Sequence, residues 1–176
     1  MNYTNFADDW EKKLEQGALT RDRCMKTAYI CSPLSAATKA QVYINMMNAR
    51  AYMFYVAEHM HCTPRAPHAY LPLFFHDSIP AERALALDFG LKLLEHSDIM
   101  LVCGDAISKG MRGEIAKAAM LDMKIITFDS SVRLEVKKLV TQTGGTKAKV
   151  LLDETHPFLS SNLTAELTRK ELSEYD

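Results

Sequence analysis

Hydrophobic runs of four to six residues alternate along this chain with longer amphipathic stretches, and that alternation sets the expected elements. Three short apolar runs read as strands: Lys26–Cys31 (KTAYIC), Ile99–Cys103 (IMLVC) and Lys124–Phe128 (KIITF). Apolar at nearly every position, such runs suit strands covered on both faces, as in a parallel sheet. The stretch Thr63–Pro72 carries three prolines, which predicts a brief strand passing into an irregular loop. Another, Lys149–Leu152, predicts a last strand.

Between them lie helical patterns. The longest, Thr38–His61, is apolar on more than one face: Val42, Met46, Ala49, Met53, Val56 and Met60 on one side, with Tyr43, Tyr52 and Tyr55 elsewhere. A helix of that kind is covered twice, here by the sheet and by a second subunit or the N-terminal segment. Ile79–His96 predicts a second helix, with Pro80 at its first turn and Leu85, Leu87, Phe89, Leu91 and Leu94 as its apolar content. Ser108 opens a third, whose sheet-facing stripe is Met111, Ile115, Ala118 and Leu121. Asp129-Ser130-Ser131 caps a fourth, Val132 to about Thr141, which Gly144-Gly145 ends. An amphipathic helix is also expected at Asn5–Leu19 (Phe6, Trp10 and Leu14 on one side) and a polar terminal helix at Ser161–Tyr175. Strand and helix alternating in this way predict a doubly wound, mostly parallel α/β sheet of four to five strands, a flavodoxin- or Rossmann-like three-layer sandwich. The expected division is a helical extension over 1–24, an α/β domain over 25–152 and a helical tail over 153–176.

Composition narrows the function classes. The 176 residues are 48% hydrophobic, enough for one real core. A net charge of −1 gives no electrostatic case for nucleic acid. The polar start MNYTNFADDWEKKLEQ resembles neither a signal nor a transit peptide, and no apolar run reaches the length of a membrane span. Four cysteines without a CxxC pair suit reduced, buried thiols in a cytoplasmic protein. The run Glu58-His59-Met60-His61-Cys62 has poor spacing for a metal, so neither metal nor cofactor is expected.

The chemistry concentrates in DIMLVCGDAISKGMRGE, Asp98–Glu114. Its strand-loop-helix would lie at the carboxyl ends of the sheet strands, where open α/β sheets bind ligands. Ser108 caps the helix, and Gly110 lets a ligand approach the first-turn amides, which with the helix dipole form a seat for phosphate. Glu114 either points along the top of the sheet into a site or rolls to solvent near the helix start; local pattern alone favours the second. Tyr29 is either a core aromatic or a hydroxyl aimed into the same crevice, and His68 and Tyr70 are either loop ligands or incidental surface aromatics. Glu82, Arg83 and Asp88 read mainly as a solvated helix face.

Taken together, YICSP on the first strand, APH with a following tyrosine, D-I-x-L-V, and S-x-G-M-x-x-E resemble the nucleoside 2-deoxyribosyltransferase-like superfamily, over about Lys26–Phe128. The closest likeness is to an uncharacterised bacterial and phage branch of it. The resemblance implies N-glycosidic chemistry on a nucleoside or nucleoside 5′-monophosphate, with Glu114 as nucleophile and Tyr29 orienting it. It also implies Ser108, Gly110 and Met111 around a 5′-phosphate, and Ser32, His68 and Tyr70 around the crevice. Homo-oligomers are implied as well, with the 38–61 helix as the expected interface. One departure stands out. Where the characterised enzymes carry a sugar-binding aspartate, eight residues before the position of Asp98, this chain has Gly90. Asp88 is the nearest substitute, although two residues along a helix turn a side chain by about 200°. Three readings follow: an enzyme at the N-glycosidic bond, a non-catalytic nucleotide-binding or sensor module, and a flavodoxin-like scaffold acting through protein contacts.

Overall fold

The structure, a computed structural model, describes residues 25–76, 78–144 and 147–161. The two terminal helices expected from the sequence lie outside the described residues, save for Ser161, as does Gly145. Within them the chain runs β1 (Thr27–Cys31), α1 (Lys39–His59), β2 (Thr63–Arg65), two 3-10 turns (Pro67–Ala69 and Leu71–Leu73) and α2 (Pro80–Glu95). It continues through β3 (Ile99–Val102), α3 (Lys109–Met120), β4 (Lys124–Thr127), α4 (Ser130–Gln142), β5 (Val150–Leu152) and a 3-10 turn at Pro157–Ser160. All five strands are parallel, in the order β2-β1-β3-β4-β5. This is the doubly wound α/β architecture the alternation predicts.

Strand parity divides the core into two. Ala28, Ile30, Leu101 and Phe128 face α1 and the 157–160 turn, meeting Ala49, Tyr52, Val56 and Leu159. Tyr29, Cys31, Met100, Val102 and Ile125 face the other way, onto Leu94 of α2, Met111 and Ile115 of α3, and Val136 of α4. The central strands are buried on both sides because the helices alternate between these faces. β5 closes one edge and is half exposed.

Local chemistry starts the helices as the pattern predicts. Thr38 caps α1 by accepting from the Gln41 amide at 3.2 Å, and Asp129 caps α4 by accepting from Ser131 and Val132. Pro80 occupies the first turn of α2. At the amino edge, Asp98 accepts from the Thr27 amide (2.7 Å) and hydroxyl (2.8 Å), which locks the starts of β3 and β1 together. The aspartate of the D-I-x-L-V motif is thus a latch at the edge away from any crevice.

Three expectations about packing change. In α1, Tyr52 is fully buried and Tyr55 stacks on Phe158 at 4.6 Å between ring centroids, so two of the three tyrosines assigned to an outer face serve the core. In α2, Leu85, Leu87, Phe89 and Leu91 are exposed, and among the described residues only Gly90 and Leu94 of the helix are buried. Their spacing of two rotates them around the whole helix, so no single face collects them. Leu121 is exposed at the end of α3 because the chain leaves the helix there.

Gly104, directly after β3 and Cys103, has φ +93°, and an added Cβ would come within 3.3 Å of Pro33 Cδ. Its amide donates to the Leu159 carbonyl at 2.8 Å, holding the 157–160 turn on the sheet. Gly104→Ala is expected to lower the unfolding free energy by about 1–2 kcal/mol, read from urea denaturation curves.

Candidate functional site

In this strand order the chain reverses direction across the sheet between β1 and β3, and crevices open at the carboxyl ends of strands beside such a break. Two polar groups of side chains sit there, one on each side of the β1–β3 pair.

The first centres on Glu114. Ser108 caps α3 by accepting from the Met111 amide, and the helix then carries Glu114 over β1 in its second turn. Tyr29 rises from β1 on the same face of the sheet, and its hydroxyl donates to Glu114 Oε1 at 3.0 Å. Cys31, two residues on and of the same parity, stands close enough to the same carboxylate to help lower its pKa. Desolvation raises the pKa of Glu114, while Cys31 and the hydrogen bond from Tyr29 pull it back down. The same burial and the nearby carboxylate push the Tyr29 phenol and the Cys31 thiol upward, so both stay protonated. Tyr70, half buried, is near enough to Tyr29 to contribute to that rise. Gly90 of α2 closes the third side. A Cβ added there would meet Tyr29 Oη at 3.7 Å and Pro67 Cγ at 3.6 Å, so its missing side chain leaves room beside the Tyr29–Glu114 pair.

The second group centres on Ser32 and His68. Ser32 Oγ lies 2.7 Å from His68 Nε2, and both residues are buried. A serine on a histidine invites comparison with a nucleophile and its base. Burial, however, lowers the His68 pKa to about 4, which makes the imidazole a poor base and keeps it neutral. Ser32 also lines a small cleft of about 10 Å³ with Asn45, Asn48, Tyr52, Gly104 and Asp105, room for about one water. Asn45 anchors the chain leaving β1, donating to the Leu34 carbonyl at 2.9 Å.

The sequence-derived residues therefore separate. Glu114 and Tyr29 come together, Ser32 joins His68, and Tyr70 packs on the α1 side of the core, with a minor electrostatic effect on Tyr29. Gly110 is exposed, with Ser108 Oγ at 4.0 Å as the nearest atom to an added Cβ, so the α3 start is open to approach. Met111 is buried, and its sulfur takes the Ser108 amide at 3.4 Å; it is a cap and core residue rather than part of an open surface. Asp88 is exposed on the far side of α2, paired with Lys92 at 2.6 Å, and does not replace the side chain absent at Gly90. Sequence reasoning missed Cys31, whose signal was its two-residue spacing from Tyr29 on a strand. It also missed Asn45 and Asn48, carboxamides three apart on a helix face that is otherwise apolar. Among the described residues no cluster of three or more His, Cys, Asp or Glu could hold a metal ion, and no helix is long and apolar enough to cross a membrane.

Fold and site define an α/β protein with a partly desolvated carboxyl group, hydrogen-bonded by a tyrosine, at the switch point of a parallel sheet. A family of domains of unknown function, DUF7768, matches residues 26–128, and the chain belongs to it. That span begins just before β1, ends just after β4, and contains every site residue described above. No curated protein and no solved structure matches the chain.

Two outcomes are expected. Because Glu114 has a raised pKa, the folded state takes up more protons than the unfolded chain just above the ordinary carboxyl range, so ionising it costs stability at neutral pH. Glu114→Gln should therefore raise the thermal midpoint at pH 7, and a fall would mean that the carboxylate is structural. His68 has the opposite sign. With a folded pKa of about 4 against about 6.5 unfolded, its contribution is present above pH 6.5 and is lost as pH falls towards 4. That loss is up to about 3 kcal/mol, and His68→Gln should flatten it in urea titrations at pH 7 and pH 4.5.

Proposed function

We propose that this protein breaks the N-glycosidic bond of a nucleoside or nucleoside 5′-monophosphate, with Glu114 as the nucleophile. The observation that carries the reading is the 3.0 Å hydrogen bond from the Tyr29 hydroxyl to Glu114 Oε1 beside the sheet's switch point. A carboxylate used on an anomeric carbon needs fixed aim, partial desolvation and enough donors to remain ionised. Tyr29 supplies a donor at 3.0 Å, and Cys31 stands beside it on the same face of β1, an interior strand of the sheet.

In this reading one Glu114 oxygen attacks the anomeric carbon as the bond to the base breaks, and the base departs with the bonding pair. The glycosyl ester is then released by water or by a second base, giving hydrolysis or transfer. The open start of α3, around Ser108 and Gly110, provides amides and a helix dipole for a 5′-phosphate. Ser32 and His68 form their own buried pair beyond the end of β1, apart from Glu114. The motif resemblance over Lys26–Phe128 supports the same chemistry.

One observation favours a second reading, a nucleotide-binding module without catalysis. Gly90 offers no side chain at the place where the resembled enzymes carry a sugar-binding carboxylate, and Asp88 points elsewhere.

Chromatographic detection of free base, after incubation with ribo- and deoxynucleosides and their 5′-monophosphates, separates the two. Base release is expected from wild type and none from Glu114→Ala. Tyr29→Phe should lose about ten- to a hundredfold in rate, the worth of one hydrogen bond to a charged group. Release unchanged in Glu114→Ala would overturn the assignment of the nucleophile. No release, with thermal stabilisation by one nucleotide of the panel, would establish the binding module instead.

A further inference from the structure

The described fold leaves α2 largely uncovered. Of its 16 residues only Gly90 and Leu94 are buried among the described residues, while Leu85, Leu87, Phe89 and Leu91 stand in solvent. These four belong to two rows. Leu87 and Leu91 continue at a spacing of four to Glu95, which reaches Lys117 of α3 at 2.7 Å, so that row looks towards α3 and the Glu114 crevice. Leu85 and Phe89 lie two residues, and so about 200°, round the helix from it, and with Ala81 they form a second row on the flank away from α3. Leu85 is 54% exposed and Phe89 43%. Leu73, Phe74 (70% exposed) and Ile79 add to the apolar surface at the amino end of α2. So much exposed apolar surface, on a helix that buries so little, marks a place that another element covers.

The chain has a cover of matching length that starts from the right place. Residues 1–24 precede β1 and lie outside the family's matched span, 26–128. They carry Phe6, Trp10 and Leu14 in a row with the same spacing of four as Ala81, Leu85 and Phe89. Rows of this kind are the ridges with which two helices interdigitate. The segment joins the fold beside the carboxyl end of α2. There the Thr27 hydroxyl donates to the carbonyl of His96, the residue that ends α2, at 3.5 Å, and the Asp98 amide donates to the Thr27 carbonyl at 2.9 Å. A helix over Asn5–Leu19 is about 22 Å long, against about 24 Å for α2. Thr20–Cys24 spans up to about 17 Å between them. Laid back along α2 from its carboxyl end, the segment covers the outer row and brings Phe6 towards Ile79. The end of α1 is also close, since Lys26 accepts from the Thr63 amide at 2.9 Å. However, α1 already buries six residues, and Arg50 folds across its outer side to the Ala69 carbonyl at 3.0 Å.

We infer that residues 1–24 dock on α2 of their own chain, with Phe6, Trp10 and Leu14 packed against the row of Ala81, Leu85 and Phe89. Gly90 lies on the side of α2 turned to Tyr29, so the segment braces from behind the helix that stands beside the Tyr29–Glu114 pair. The row of Leu87 and Leu91 stays uncovered, which leaves the approach to Glu114 open.

Trp10 is the chain's one tryptophan, so its fluorescence in the full chain reports the contact directly. Its emission is expected to be blue-shifted from that of the chain unfolded in guanidinium, at every protein concentration. Leu85→Glu combined with Phe89→Glu should move the emission to the unfolded position and increase its quenching by acrylamide. The domain should stay folded by circular dichroism, because both positions are exposed. Leu14→Glu, within the segment itself, should release Trp10 in the same way and speed amide hydrogen exchange over Leu85–Phe89 but not in α3. That variant carries the test should the double one not fold. Phe54→Glu on α1 should leave the emission where it is. A wild-type emission already at the unfolded position overturns the inference, as does one that neither the α2 pair nor Leu14→Glu moves. So does a shift produced by Phe54→Glu, which would put the segment on α1, or a blue shift lost on dilution, which would make the cover a second copy.

Discussion

Pairing of β1 with β3, with Tyr29 beside Met100 and Cys31 beside Val102, is the constraint from which both the sheet and its site follow. These strands are separated by more than sixty residues of chain, including α1, β2 and α2. Their register is fixed at the amino edge, where Asp98 takes both the amide and the hydroxyl of Thr27. Because side chains alternate along a strand, a slip of one residue would turn Tyr29 and Cys31 away from α3 and leave Glu114 over apolar Ile30. The latch at one end of the strand pair therefore governs the aim of the donors near the other.

A carboxylate in a partly desolvated place is expensive, and the surroundings of Glu114 reduce that cost without removing it. Tyr29 donates to it and Cys31 stands beside it, yet burial still dominates and its pKa stays raised. The same logic runs in reverse at His68, kept neutral by burial and joined to the Ser32 hydroxyl. Two polar groups thus flank one strand end, an acid and an imidazole, and burial pushes each of them towards its uncharged form. Core packing alone would place apolar residues at both positions at lower cost.

The two faces of the sheet divide the work. On one, α2, α3 and α4 surround Tyr29, Cys31 and Glu114, and Gly90 keeps α2 close without filling the space beside them. On the other, α1 covers the strands with one side and leaves Tyr43, Met47 and Phe54 exposed on the opposite side. A helix apolar on two faces has two surfaces to satisfy. In α1 the sheet satisfies the side of Asn45, Ala49, Tyr52 and Val56.

How much of this was legible in the sequence depends on the range over which each feature is decided. Short apolar runs determined β1, β3 and β4; Thr38, Pro80, Ser108 and Asp129 determined where helices start, because capping is settled within four residues. The alternation of these elements then determined the α/β class. Local pattern left Glu114 ambiguous, since a glutamate one turn into a helix looks the same whether it meets Tyr29 or water. Only the tertiary structure brought Glu114 to a hydroxyl eighty-five residues away, and it added Cys31 to the pair. It also moved Tyr52 from an expected outer face into the core, buried Met111 in its own helix cap, and turned Asp88 away from the site towards Lys92. These are questions of which face of an element meets which neighbour. Periodicity says that a face is apolar; strand order, register and the approach of distant helices decide what covers it.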